Sequence, residues 1–249
     1  MAFPVSIAGS YGWEKVETSD QKHKLGTRMQ FPDGREFRYA HNGGTAIGEG
    51  LLVASEALVA NHGDDGDLAV ATTAAGSQTI SVTVGGTAAA KDLYKEGYLW
   101  FNLAGTSVHE FYKIKEHDAF DSSGSATVTL EDQNGLHQAV TNGTDTVGLM
   151  KSPYKDVIVC TAALTERPVG ITVNNFTADY YGWILTRGLS VAKIDAASTA
   201  ALNTPLGPSS NHAGQLLPVG ADTTGGVARI VSVAGVDNEY APVMLYNLD

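Results

Sequence analysis

The stretch Arg167–Asp195 reads RPVGITVNNFTADYYGWILTRGLSVAKID and decides how we interpret the rest of the chain. It contains two runs of strand-forming residues, Tyr180–Thr186 and Leu189–Ile194, and in each run the side chains alternate between two faces. Arg187-Gly188 lies between the runs, and two β-rich runs joined by a short glycine-containing link predict a β-hairpin. Because this segment holds no group of reactive side chains, we expect it to form the centre of a β-domain.

Short strands and turns recur along the whole chain. A Pro-Asp-Gly turn at 32–34 separates two alternating runs, and residues 79–84 show the most regular period-two pattern. Residues 87–95 are the best candidate for a short helix, and 196–218 are predicted to form a long loop. The sequence therefore predicts an all-β protein, with one or two small β-barrel or β-sandwich units, an extended N-terminal arm and few short helices.

Changes in composition divide the chain into three parts. Residues 1–24 are predicted to form the extended arm, 25–155 a first β-rich region and 156–249 a second one. The boundary between the two regions follows the connector KSPYK at 151–155.

Three aromatic residues stand out in the predicted arm: Phe3, Tyr11 and Trp13. Exposed aromatic side chains are enriched at contact surfaces between proteins. We therefore predict that these three are interaction residues of an arm that lies on a neighbouring subunit. A frayed terminus without a partner is the alternative.

The charge balance argues against two classes of partner. The 249 residues include 16 Lys and Arg against 27 Asp and Glu, which gives a formal net charge of −11. Phosphate backbones and anionic lipids repel such a chain, so neither nucleic acid nor a membrane is an expected partner. The sequence also lacks an apolar run of about 20 residues and the pattern of a signal peptide.

The side chains that usually perform chemistry do not form a recognisable motif. Cys160 is the only cysteine and lies in an apolar run, so we expect it in the core. His109, His117 and His137 are scattered without a matched pair of metal ligands on one element. We therefore expect no catalytic residues, no metal and no cofactor, and we expect that the protein is not an enzyme.

Three stretches in this order resemble a group of virion structural proteins of tailed bacteriophages, encoded near the capsid genes. They are LGTRMQFPDGREFRYAHNGGTAIGEGLLV at 25–53, EGYLWFNLAGTSVHEFYKIKEHDAF at 96–120, and the stretch at 167–195 quoted above. The resemblance covers most of the chain after the arm, and its motifs are structural rather than catalytic. It implies a decoration or cement protein on the outer surface of the head, whose partners are the major capsid protein and other copies of itself in a homotrimer.

Two other functions stay open. The protein could be a different virion component, such as a tail-tube, connector or fibre-associated protein, which the symmetry of its site in the particle would reveal. It could also be a carbohydrate-binding or carbohydrate-active protein, because Trp100 and Trp183 could stack on sugar rings. The favoured interpretation of these two rings is burial in the core.

Overall fold

The computed structural model describes residues 6–63, 66–104, 110–163, 165–195, 201–219, 226–232, 238–246 and 248. Over these residues the chain is almost entirely strands and turns, so the predicted all-β class is confirmed, and its one helix is a single 3₁₀ turn at Trp13–Lys15. The strands are β1 (Ser6–Ala8), β2 (Arg28–Gln30), β3 (Glu36–His41), β4 (Leu52–Ala54), β5 (Leu68–Val70), β6 (Thr79–Thr83), β7 (Tyr98–Asn102), β8 (Phe111–His117), β9 (Ser125–Leu130), β10 (Thr146–Met150), β11 (Ile158–Val159), β12 (Pro168–Thr172), β13 (Tyr181–Lys193), β14 (Pro205–Pro208), β15 (Leu216–Pro218), β16 (Ala228–Ile230) and β17 (Tyr240–Leu245).

The chain forms two compact units, and one is inserted into the other. Unit 1 comprises Met1–Ala57 and Pro153–Asp249, and unit 2 comprises Leu58–Ser152. This division differs from the predicted sequential regions 25–155 and 156–249. The reason is that β3, from the first predicted region, pairs with β13, from the second, so both strands belong to one sheet.

Unit 2 is a closed barrel of six antiparallel strands in the order β10-β5-β6-β9-β8-β7, and β7 pairs with β10 to complete the ring. Alternation along each strand fills its interior. In β6 the side chains of Ile80 and Val82 are buried between half-buried or exposed Thr and Ser residues, as the period-two pattern predicts.

The predicted short helix at 87–95 is wrong: within unit 2 this segment is a bridge residue followed by turns. Leu93 and Lys95 make isolated i→i−3 turn bonds, to the carbonyl oxygens of Ala90 and Asp92, but other backbone donors of the segment bond to β8 or to the residues just after it. The N–H groups of Ala89 and Asp92 donate to the carbonyl oxygens of Phe120 and His117. Asp92 also has a φ of 62°, which interrupts a right-handed helix.

Unit 1 is organised around β13, which is one 13-residue strand rather than the predicted hairpin. Its first half pairs with β3 on one side and with β12 on the other, and its second half pairs with β17. The register shifts by one residue between Leu185 and Arg187, where β13 changes partners. The Arg187-Gly188 link is therefore a β-bulge in a continuous strand.

The backbone at the bulge explains why no hairpin forms. A two-residue type I′ turn needs a positive φ at both central residues, but only Gly188 has one, at 105°. The Thr186 hydroxyl donates to the Glu36 carbonyl oxygen, which keeps this part of β13 against β3. A Cβ atom at Gly188 would lie 3.1 Å from the Cα atom of Arg35, a tight contact, so glycine is favoured here by the close approach as well as by the positive φ.

The predicted loop at 196–218 is only partly a loop. Residues 196–200 lie outside the described residues, but β14 and β15 form an antiparallel pair within the remainder. Ile194, the residue after β13, forms a parallel β-bridge with Leu216 of β15, so the end of β13 lies beside β15. The core of this unit contains Phe37, Leu185 and Cys160, and the predicted burial of the cysteine is confirmed.

The described part of the predicted arm, residues 6–24, is bound to its own unit. β1 pairs in parallel with β2, which otherwise has a free edge. Further along, Thr18 and Tyr181 exchange two backbone hydrogen bonds of 2.9 and 2.8 Å. The Glu17 carboxylate accepts hydrogen bonds from the backbone N–H and the hydroxyl of Thr177. Residues 6–24 are therefore part of the fold of unit 1.

Candidate interaction surface

Two of the three predicted interaction residues are exposed on unit 1. Tyr11 is 64% exposed and its ring packs edge-on against Phe31, with 5.4 Å between the ring centroids. Trp13 is 49% exposed at the start of the 3₁₀ turn. The third, Phe3, lies outside the described residues. These positions suit contact with a partner, and their role stays a prediction.

A larger apolar surface lies on β13, β16 and β17 of the same unit. Leu189 is paired with Met244 across the β13–β17 ladder, and their side chains are 49% and 43% exposed. The intervening residues Ala192 and Val243 are buried, so alternation places the whole exposed set on one face of the sheet. We define the apolar face as the five residues Leu189, Val191, Val231, Tyr240 and Met244, all of them exposed.

Cationic side chains border this face. Lys193 is the Cα partner of Tyr240, and its ammonium group lies 5.6 Å from the centre of the tyrosine ring. Arg229 is the partner of Met244 and lies 5.9 Å from the ring of Tyr246. In a chain with a net charge of −11, an apolar face with a basic border differs in character from the average surface.

A groove of about 880 Å³ runs along β13 beside the apolar face. We call it the β13 groove. Leu189, Ser190 and Val191 lie along it, and Thr172 and Gly50 are among its other lining residues. Three of the five charged residues that line it, Glu14, Asp33 and Arg35, make side-chain bonds within the unit. Arg35 Nε donates to Asp33 Oδ2 at 2.9 Å, and the buried Glu14 accepts the N–H of Gly12 at 2.6 Å.

A polar cluster around Asp195 resembles a catalytic group in composition but not in geometry. Asp195 is buried, and its Oδ2 accepts hydrogen bonds from Ser209 Oγ at 2.6 Å and from Asn211 Nδ2 at 3.0 Å, and lies 3.4 Å from His212 Nδ1. The Ser209 oxygen accepts the backbone N–H groups of Asn211 and His212. Serine and histidine both turn to the carboxylate, so the cluster holds a turn and contains no serine–histidine pair arranged for proton transfer.

Unit 2 contains a buried network that centres on Tyr94. His62 Nε2 donates to the Thr87 carbonyl oxygen at 2.7 Å, so His62 Nδ1 accepts from the Tyr94 hydroxyl. The Tyr94 N–H donates to His117 Nε2 at 2.9 Å, and His117 Nδ1 donates to the Asp118 carbonyl oxygen. Burial lowers the pKa of His117 and raises the pKa of Tyr94. These bonds occupy both ring nitrogens of His62 and of His117 within unit 2, which is a structural role.

The other residues singled out in the sequence do not come together as a site. Burial raises the pKa of the Cys160 thiol to about 11, which makes it a poor nucleophile at neutral pH. His137 is exposed and lies 3.2 Å from Glu110, whereas His109 lies outside the described residues. Among the described residues, no three His, Cys, Asp or Glu side chains are grouped in a way that could hold a metal ion.

The two tryptophans considered for sugar stacking differ in exposure. Trp183 is buried, as predicted, and its ring packs against Tyr39 with 5.0 Å between centroids. Trp100 in unit 2 is half-buried. A buried ring cannot stack on a ligand, so Trp183 does not contribute to a carbohydrate site.

The sequence interpretation missed the apolar face, although a signal was present. Leu189, Val191 and Lys193 share one parity in β13, and a lysine on that side marks it as the side facing solvent. The residues of the opposite parity include the apolar Ala192 and Ile194, so both sides of the strand appear suited to a core.

Comparisons with known proteins returned nothing. No family model, no curated protein and no solved structure matches this chain. Among the described residues, no helix is long and apolar enough to span a membrane.

Proposed function

We propose that this protein is a non-enzymatic structural protein of a tailed-phage virion, which decorates or cements the outer surface of the head. Its partners are the major capsid protein and other copies of itself in a homotrimer. The proposal is supported by the resemblance of the three sequence stretches and by the surface of unit 1. The single observation that carries it is the apolar face of Leu189, Val191, Val231, Tyr240 and Met244.

The energetics of a repeated contact favour this kind of surface. Five large side chains, each nearly half exposed on one sheet face, form a contiguous apolar patch of the sort that marks a protein interface. A standard contact buries about 800 Å² on each partner. Copies joined in a trimer add avidity of about 10²–10⁴, so each individual contact can be modest. The basic border at Lys193 and Arg229 suits a partner with an apolar centre and acidic surroundings.

Cryo-electron microscopy of particles tests the proposal. We expect density for this protein on the outside of the shell, at threefold or quasi-threefold sites. Density in sixfold rings of the tail, or no density in the virion, would overturn it. Either outcome would then direct attention to a tail component or to a protein outside the particle.

A variant experiment links the particle to the apolar face. The double substitution Leu189→Ser and Met244→Ser removes a cross-strand apolar pair, and we expect at least a tenfold loss of affinity for heads that lack this protein. Leu58→Ser is the matched control, because Leu58 is 50% exposed but belongs to unit 2. Equal binding by both variants would show that the apolar face is not the contact.

A further inference from the structure

The backbone of β13 has an open edge inside the β13 groove. The Ile194 N–H donates to the Glu239 carbonyl oxygen, so alternation directs the peptide groups of Ser190 and Ala192 toward β17 as well. The peptide groups of Leu189 and Val191 therefore point to the opposite side.

No strand formed by the described residues covers that opposite side. On it, the Lys193 N–H donates to the Gly50 carbonyl oxygen at 2.8 Å, and the ladder with β3 ends at the Arg187–Glu36 pair. Between these two points, no described residue pairs with the N–H groups of Leu189 and Val191. Among the described residues, the Val191 carbonyl oxygen accepts a hydrogen bond from the Ser190 hydroxyl alone, at 3.5 Å.

We propose that this edge is the acceptor site for an added β-strand, and that the strand is formed by residues 1–5 of a second copy of this chain. An exposed strand edge with unpaired peptide groups binds an extended segment through main-chain hydrogen bonds. The inference deepens the proposed contact between copies by naming the segment and the strand edge that meet, and it does not depend on the virion.

The sequence MAFPV of residues 1–5 matches the chemistry of the groove. It carries no charged side chain, and three of the five charged residues that line the groove, Glu14, Asp33 and Arg35, already make side-chain bonds within unit 1. In an extended strand the peptide groups of Phe3 and Val5 point to one edge, and that of Pro4 points to the other edge. The missing N–H of Pro4 would therefore remove no hydrogen bond to β13. With Phe3 and Val5 facing the edge, their side chains would join Leu189 and Val191 on the apolar face.

Another copy is the donor that fits, because β1, to which residues 1–5 are joined, lies far from this edge in its own chain. Ala8 pairs with Gln30, Gln30 with Glu36 and Glu36 with Arg187, which separates β1 from β13 by about 14 Å, or three strand spacings. Ser6 lies at the end of β1 remote from this pairing, and the three Cα-to-Cα steps from Phe3 to Ser6 span only about 10 Å when extended.

Disulfide trapping between separately purified chains tests the inference. Phe3→Cys protein is mixed with Val191→Cys or with Leu189→Cys protein under mild oxidation, and the covalent heterodimer is measured. Val231→Cys is the matched control, since Val231 is equally exposed on the same face but follows β16, two strands from the edge. We expect at least ten times more heterodimer with position 191 or 189 than with 231.

Two trapping results would overturn the inference. One is a heterodimer yield no greater than with the control, and the other is an intramolecular disulfide at high dilution in a chain that carries both Phe3→Cys and Val191→Cys.

A second measurement needs no cysteine. We expect the amide exchange of Leu189 and Val191 to slow at least tenfold with rising concentration of the full chain and not after deletion of residues 1–5. Protection that arises only when phage heads are added would assign the edge to a different protein. Since both experiments use the isolated protein, their outcome is independent of whether it binds heads.

Discussion

In unit 2 six strands close into a ring, whereas in unit 1 the long strand β13 bends at a bulge and leaves part of its edge open. Of the eleven large apolar side chains that are exposed among the described residues, nine belong to unit 1, and only Leu58 and Phe111 belong to unit 2. The barrel buries both its apolar side chains and its polar network around Tyr94. The comparison teaches that closure pairs the strand edges of a sheet internally, while a bent open sheet leaves an apolar face and part of a strand edge exposed.

The largest expected effect concerns Trp183, a buried residue of β13 in the core of unit 1. Trp183→Ala removes a buried ring that packs on Tyr39, and we expect it to lower the free energy of unfolding by about 3–5 kcal/mol. Chemical denaturation measures the loss, and Trp13→Ala serves as the control because that ring is about half exposed. A loss under 1 kcal/mol for Trp183→Ala would contradict the central role given to β13.

The bend itself is tested at Gly188. Gly188→Ala places a Cβ atom at a φ of 105° and 3.1 Å from the Cα atom of Arg35, and we expect a cost of about 2 kcal/mol. Gly12→Ala is the matched control, since Gly12 has a φ of 100° with open space around it. Hydrogen exchange should show faster opening in unit 1 and unchanged protection in peptides from 58–152. Equal effects of the two substitutions would mean that strain at Gly188 comes from φ alone.

Acid should weaken unit 2 through His117. Burial lowers its folded pKa, although Asp92 and Asp118 oppose this and His62 adds to it. Below an unfolded pKa of about 6.5 the unfolded chain binds the extra proton first, so stability is full above that pH and falls as pH decreases, by up to about 1.4 kcal/mol per pH unit until the folded pKa is reached.

The measurement for this prediction is denaturation between pH 7.5 and 5.5, followed by signals from unit 2. His117→Gln keeps an acceptor for the Tyr94 N–H but cannot titrate, so the slope with pH should decrease. His137→Gln changes a histidine whose side chain is 76% exposed and should leave the slope as it is. An unchanged slope in the His117 variant would remove this histidine as the cause.

The smallest effect should occur at the apolar face. Leu189→Ser with Met244→Ser changes two half-exposed side chains, and we expect the free energy of unfolding to stay within about 0.5 kcal/mol of the unmodified protein. Thermal denaturation checks this. A large loss of stability would show that these residues support the fold of unit 1, and the contrast between a unit with an exposed apolar face and a closed barrel would fail.

Much of the fold could be predicted from local patterns. The hairpin around the Pro-Asp-Gly turn at 32–34 is present as β2 and β3, and the alternation in 79–84 predicted β6 with its buried side. Both depend on residues that are close in sequence, for which period and turn chemistry are sufficient.

The errors arose where distant partners decide the structure. Whether Arg187-Gly188 becomes a turn or a bulge depends on β3 and β17, which lie far away in sequence. The segment 87–95 has helix-forming residues, but the carbonyl groups of β8 and of Phe120 just after it compete for its N–H donors. The open edge at Leu189 and Val191 likewise could not be predicted from the sequence, because its position depends on where the pairing of β13 with β3 ends.

One detail of unit 1 has an evolutionary consequence. The chain leaves this unit just after β4 and returns just before β11, and these two strands pair with each other through Ile158 with Ala54 and Val159 with Val53. The two points at which the chain leaves and re-enters unit 1 are therefore neighbours. A turn of a few residues could join them and keep every strand pairing of unit 1. Related chains could therefore lose unit 2, enlarge it or exchange it for another module without changes to the strand pairing of unit 1.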